Sequence, residues 1–239
     1  MNRHQARALP AALVTAAVLL ASCGSDDPAE SARPGTGTSS GASIAPQPDY
    51  RVVPDWDVGR AIPSGRWAVH ANGGPAAPVA VLDVPEGFAG NGWAIWTNRG
   101  NIGYWTVAGV YDDPCSEAGQ PRPVGATVAD LADALEGQKL TASTKAVPVS
   151  VGGHDGLYLE LTTPEDYDYG ACREDSLTIF RTSPSESRSI GESWVDHYWI
   201  LDVDGQRVVL SVGVPAVAPR ETVQLLSGLV EGATFIDEA

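Results

Sequence analysis

The stretch HYWILDVDGQRVVLSV, residues 197–212, decides the fold. Two runs rich in β-branched and aromatic residues, HYWILDV and QRVVLSV, enclose Asp204-Gly205. A two-residue type I′ turn needs positive φ at both central positions, and Asp-Gly is one of the dipeptides that tolerate it. The stretch therefore predicts an antiparallel hairpin with two long arms.

The same pattern recurs on the N-terminal side. KAVPVSV (145–151) and LYLELTT (157–163) enclose Gly152-Gly153-His154-Asp155-Gly156, a second hairpin. GWAIWT (92–97) and IGYWTVAGVY (102–111) flank the loop Asn98-Arg99-Gly100-Asn101, a third. RWAVHA (66–71) and PVAVLDV (78–84) read as strands, the latter closed by the turn Pro85-Glu86-Gly87, and TFI (234–236) as a terminal strand. Two helices interrupt this order. Thr127-Val128-Ala129-Asp130 caps a helix running to about Glu136, with Leu131 and Leu135 on one face and Gly137 as its stop. Pro219 opens a second helix, to about residue 231, in which Val223, Leu226 and Val230 fall at helical spacing. Hairpin-joined strands with two segregated helices predict an α+β fold. It is mainly an antiparallel sheet, and the single apolar stripe of each helix predicts that both pack on one of its faces.

The chain begins differently. Arg3 and Arg7 precede an uncharged stretch from Ala8 to Ala21. That stretch is about 14 residues long where a spanning helix needs roughly 20, so it reads as a signal peptide and not as a permanent span. Leu20-Ala21-Ser22-Cys23 at its exit resembles the bacterial lipobox, whose cysteine thiol receives a diacylglyceryl group before cleavage in front of it. Residues 1–22 are then the leader and Cys23 the lipid attachment site; an ordinary secretory cleavage site beside a bystander cysteine is the alternative. Residues 23–50 are rich in Gly, Ser, Pro and Ala and form a tether, with an r.m.s. reach of roughly 25 to 30 Å. Gly37-Thr38-Ser39-Ser40-Gly41 inside it matches a G-x-S-x-G nucleophile by letter but lacks the strand and helix that motif needs. Residues 51–239 suit one globular domain.

The formal charge is -15, and losing Arg3 and Arg7 with the leader makes it -17. Such a balance speaks against nucleic acid and against electrostatic adhesion to anionic lipid. The two remaining cysteines, Cys115 and Cys172, are most simply a disulfide in an oxidising compartment. His70, His154 and His197 stand apart in sequence without metal spacing, so neither a metal nor a cofactor is expected. The acidic segment TPEDYDYGACRED (163–175) lacks the bidentate Glu of an EF-hand, where Leu177 stands, and reads as a solvated loop. Aromatic residues are the conspicuous feature. Trp93, Trp96, Tyr104, Trp105 and Tyr111 fall on one predicted hairpin, and with helices on a single sheet face some of them should stay exposed as a binding surface.

Several segments together, LDVPEGF, WTVAGVYDDPC, TVADLADAL, GGHDGLYLEL, YWILDVDGQRVVLSV and LLSGLVEGATF, resemble a group of actinobacterial exported proteins and lipoproteins over about residues 60 to 239. The late order of hairpin, helix and short strand is similar to the PsbP-like fold of LpqN-type lipoproteins. This resemblance implies an accessory or binding role and carries over no catalytic residue. The expectation is a noncatalytic module on the extracytoplasmic side of the cell membrane. It contacts the bilayer through acylated Cys23 and binds an envelope protein or an apolar or glycan ligand, with a hydrolase as the alternative.

Overall fold

The computed structural model describes residues 48–55, 59–73, 77–116, 120–183 and 186–237. The leader, Cys23 and the tether up to residue 47 lie outside them.

The hairpin that decides the fold forms from strands Trp194–Val203 and Gln206–Pro215, paired antiparallel along their whole length. Asp204 and Gly205 both have positive φ, 52° and 82°, and the Gly205 N–H donates to Asp202 Oδ1 at 2.8 Å. Around this pair a long sheet runs His154–Thr162, Trp194–Val203, Gln206–Pro215, Gly100–Trp105, Ala94–Thr97, Phe88–Asn91 and Arg60–Ile62, every neighbour antiparallel. Val147–Val151 and Ala142–Ser143 close its edge against His154–Thr162. That second hairpin is tighter than its sequence suggested. Gly152 and Gly153 both take positive φ, so the turn needs only two residues and the returning strand starts at His154.

Two smaller sheets cover this one. Gly65–Val69 and Val79–Val84 pair with each other and, at the edges, with Arg51–Val52 and Thr234–Ile236. Leu177–Arg181 pairs with Ser187–Ile190 and with Gly109–Val110, which meets Arg122–Pro123. The α+β class follows, with two α-helices, Val128–Glu136 and Arg220–Glu231, among the described residues.

The helices lie on opposite faces of the central sheet, which corrects the expectation of one shared face. Side chains alternate along a strand. Trp199 and Leu201 therefore join the core that holds Leu226 and Val230, while Tyr198 and Ile200 join the core that holds Leu131 and Leu135. Each helix has one apolar stripe, but a sheet buried on both sides offers each a different face. Thr127 Oγ1 accepts from the Asp130 N–H at 3.1 Å and Asp130 Oδ2 accepts from the Thr127 N–H at 3.0 Å, so the first helix has the capping box its sequence announces. The second has no side-chain cap and relies on packing. Leu226 and Val230 are fully buried, each contributing roughly 1.5–3 kcal/mol.

On the Arg220–Glu231 side of the sheet, cross-strand register sets Glu160 opposite His197 and Tyr158 opposite Trp199. Tyr158 Oη lies 2.7 Å from both His197 Nδ1 and Glu160 Oε1. Burial pushes the His197 imidazole below its ordinary value, against the pull of Glu160 and Asp196 toward the charged form. The folded protein thus holds His197 neutral where the unfolded chain takes up a proton, from about pH 6.5 downward. This stability is present above that pH and is lost on acidification below it. Melting temperature should therefore fall between pH 7 and 5, and a His197→Asn variant should show a flatter slope there; equal slopes would exclude His197 as the cause. Asp130 and Glu136, held low by hydrogen bonds from Thr127 and Lys145, act only in the more acidic carboxylate range.

Candidate functional site

The five aromatic residues named as candidates for a binding surface separate into two groups. Tyr104, Trp105 and Tyr111 are core, which corrects the reading that they form a binding surface. Tyr104 packs on the face with Leu226 and donates its hydroxyl to the Pro78 carbonyl at 2.6 Å. Trp105 packs on the opposite face against Phe180, with its Nε1–H donating to Ser211 Oγ at 2.8 Å. Tyr111 is not on the hairpin at all. The chain leaves the central sheet after Trp105 and pairs Gly109–Val110 with Phe180 and Arg181. Covering layers on both faces bury what one bare face would have exposed.

Trp93 and Trp96 remain partly exposed, and both line clefts. Ala94, Trp96, Asn101 and Gly103 share the sheet face of Trp105, as cross-strand pairing requires. The middle cleft, about 450 Å³, is lined by Trp93, Trp96 and Trp194, by Asn91, Asn98 and Asn101, and by Arg99 and Arg188. A second cleft of about 430 Å³ shares Trp96, Thr97 and Asn98 and continues over Ala61 and Ala89. A third, about 460 Å³, shares Trp93 and is lined also by Asp55 and His70. The middle cleft thus adjoins the other two, sharing Trp96 with the second and Trp93 with the third. Gly59 presses its backbone on the Trp96 indole so closely that a Cβ there would overlap the ring.

Arg188 and Trp194, which line the middle cleft, belong to a buried polar cluster. Asp196, with no exposed surface, accepts four hydrogen bonds. Arg188 Nε reaches Oδ2 at 3.0 Å and Nη2 reaches Oδ1 at 2.6 Å; Trp194 Nε1 donates to Oδ1 at 2.8 Å and Tyr198 Oη to Oδ2 at 2.6 Å. A carboxylate has about four lone-pair sites, so this one is saturated. Burial works against the Arg188 charge, but Asp196 outweighs it and holds the guanidinium above its ordinary value. Burial first, and then the Asp196 charge, push the Tyr198 phenol up. Gly213 lies directly across the hairpin from Asp196, where a Cβ would come within 2.7 Å of Arg188 Nη2 and of Asp196 Oδ1. Only glycine leaves room for the pair.

Arg188, Trp194 and Asp196 were not singled out as site residues from the sequence. Their signal is Trp194-Val195-Asp196-His197-Tyr198, in which an acid alternates with two aromatics on one face of a strand. Cys115 and Cys172 are bonded, with Cα atoms 4.6 Å apart. The acidic segment forms two short 3₁₀ turns around Cys172. Among the described residues no group of three or more His, Cys, Asp or Glu side chains is placed to hold a metal ion.

The geometry gives a cleft of ordinary small-molecule size on an α+β sheet. No family model and no curated protein matches the chain. Among solved structures the chain is similar to LpqN of Mycobacterium tuberculosis, described as involved in cell envelope biogenesis. The identity is 13% and the TM-score 0.35, with 72% of this chain and 90% of that one covered.

Proposed function

We propose that this chain is an envelope lipoprotein, anchored through acylated Cys23 on the extracytoplasmic side of the membrane, whose domain is a noncatalytic binding module. The observation that carries the reading is the tryptophan-walled cleft built over the Arg188–Asp196 pair. The floor is rigid by construction, since every acceptor site of Asp196 is occupied and the arginine and Trp194 are held through it. That carboxylate therefore positions its neighbours and has no free lone pair with which to take a proton. The imidazole of His197, with its Tyr158 and Glu160 partners, lies on the other face of the sheet.

A photo-crosslinking side chain in place of Thr97, which lines two of the clefts, tests the reading in the full lipoprotein in its native envelope. A discrete adduct is expected from position 97, lost in a Trp96→Ala background and absent from a probe at Val217, an exposed position outside these clefts. A Cys23→Ala variant should leave the detergent phase and lose its lipid mass. A mature N-terminus that is unmodified and begins elsewhere would overturn the anchor, and equal adducts from positions 97 and 217 would overturn the cleft.

A further inference from the structure

We infer that the row of clefts takes a short anionic saccharide, its rings stacked on the indoles and its acidic group held by Arg99. This inference rests on the cleft being the binding site.

Three features of the walls select this chemistry. The first is the combination of indole and amide. A pyranose ring presents an apolar C–H face and a rim of hydroxyls, which is the complement of a lining that holds Trp93, Trp96 and Trp194 together with Asn91, Asn98 and Asn101. A wholly apolar occupant would cover those amides without pairing them, at a desolvation cost. A folded protein needs a broad patch, about 800 Å² on each partner, whereas these are compartments of small-molecule size.

The second feature is charge. The chain carries 30 acidic against 15 basic residues, yet the middle cleft is lined by two arginines and by no carboxylate. Arg188 is neutralised from below by Asp196 through Nε and Nη2, which leaves its Nη1 outside that pairing. Arg99 stands exposed on the Asn98-Arg99 turn, with its backbone N–H tied to Thr97 Oγ1 at 3.1 Å. The guanidinium of Arg99 thus gives the cleft a net positive charge on an acidic protein, and an anion is attracted here while the surrounding surface repels it. A guanidinium fork accepts carboxylate and phosphate alike, so uronate-bearing and phosphate-bearing saccharides share the required chemistry.

The third feature is the row itself. Trp96 lines both the middle and the second cleft and Trp93 both the middle and the third, so linked rings seated in neighbouring clefts would share an indole. That arrangement suits a chain of linked rings better than a single one.

Calorimetric titration of the full chain with three probes tests this: a neutral glucan tetrasaccharide, a hexuronate tetrasaccharide, and a phosphorylated gluco-oligosaccharide of similar length. One acidic probe should bind at least about tenfold tighter than the neutral one, and its affinity should fall with added salt. Which acidic probe wins separates carboxylate from phosphate. Arg99→Ala, an exposed site, should reduce the acidic probe to the affinity of the neutral one, and Trp96→Ala should weaken all three. Equal binding of neutral and acidic probes, a preference that survives Arg99→Ala, or binding of none would overturn the inference. If none binds while position 97 still crosslinks in a Trp96-dependent way, the cleft remains a binding site and only the ligand class is wrong. Loss of both results removes the binding reading itself.

Discussion

An Asp196→Ala variant is expected to lose about 3–5 kcal/mol of stability, the range for breaking a buried ion pair by removing one partner. The carboxylate has no exposed surface, and the side chain of Arg188 is only 12% exposed. Alanine would leave the guanidinium charged and largely out of water, with no partner for Nε or Nη2. It would also orphan the Trp194 N–H and the Tyr198 hydroxyl, each an unmet donor in a low-dielectric setting. Coulomb attraction alone does not set the size of the effect, because forming the pair already carries a desolvation cost for both ions. A second variant separates the two contributions. Arg188→Met with Asp196→Leu removes both charges while roughly keeping volume, and should recover much of the lost stability, as apolar replacements of buried pairs often do. Cleft occupancy should not recover with it, because Trp194 loses the acceptor that fixes its ring. Urea denaturation of the three proteins decides the matter. If Asp196→Ala shifts the unfolding free energy by less than about 1 kcal/mol, the level of an exposed pair, the buried pair does not form in solution.

How much of this was legible in the sequence depends on whether the signal was local. Asp204-Gly205 needed only its own φ preferences and the two runs beside it. The Thr127–Asp130 capping box needed four residues, and the helix followed to Glu136 as read. The class assignment survived because it was built from such signals. What failed depended on what covers a face. Trp96 and Trp105 project from the same face of adjacent strands, and nothing within either strand distinguishes them. Trp105 lies under Phe180, which arrives from 75 positions away in the chain, while Trp96 lies against the Gly59 backbone and lines the cleft. The covering strands were themselves hard to see: LTIFR is a five-residue run and SRSI is mostly polar. Placing both helices on one face failed for the same reason. An apolar stripe shows that a helix packs, and the register of Trp194–Val203 against its neighbours decides on which side. The Arg188–Asp196 pair lay between these extremes. Its residues are eight apart and joined by a tight connection, so an acid at a core-facing position of a strand was a legible request for a nearby cation.

Removing the disulfide should cost about 4 kcal/mol, the chain-entropy value for the 57-residue separation of Cys115 and Cys172. The loop it closes contains the Val128–Glu136 helix and the hairpin Val147–Val151 with His154–Thr162, so one covalent bond restricts a large share of the unfolded ensemble. In the folded state the two half-cystines tie the turn around residues 112–116 to the acidic segment, whose own support is slight. Tyr169 donates its hydroxyl to the Pro164 carbonyl at 2.7 Å, and the flanking Glu165, Asp166 and Asp168 are exposed. If the bond acts mainly on the unfolded chain, a Cys115→Ala, Cys172→Ala variant keeps its native spectrum and cleft while its unfolding midpoint drops. The denaturant slope should rise, because an unfolded chain without the loop constraint exposes more surface. Reductant then provides the internal control. Dithiothreitol should bring the wild type down to the level of the double variant and leave the double variant where it was. A wild type that unfolds at the same denaturant concentration in either redox state would show that the bond restrains nothing that folding must order, and the acidic segment would have to be held by Tyr169 and its neighbours alone.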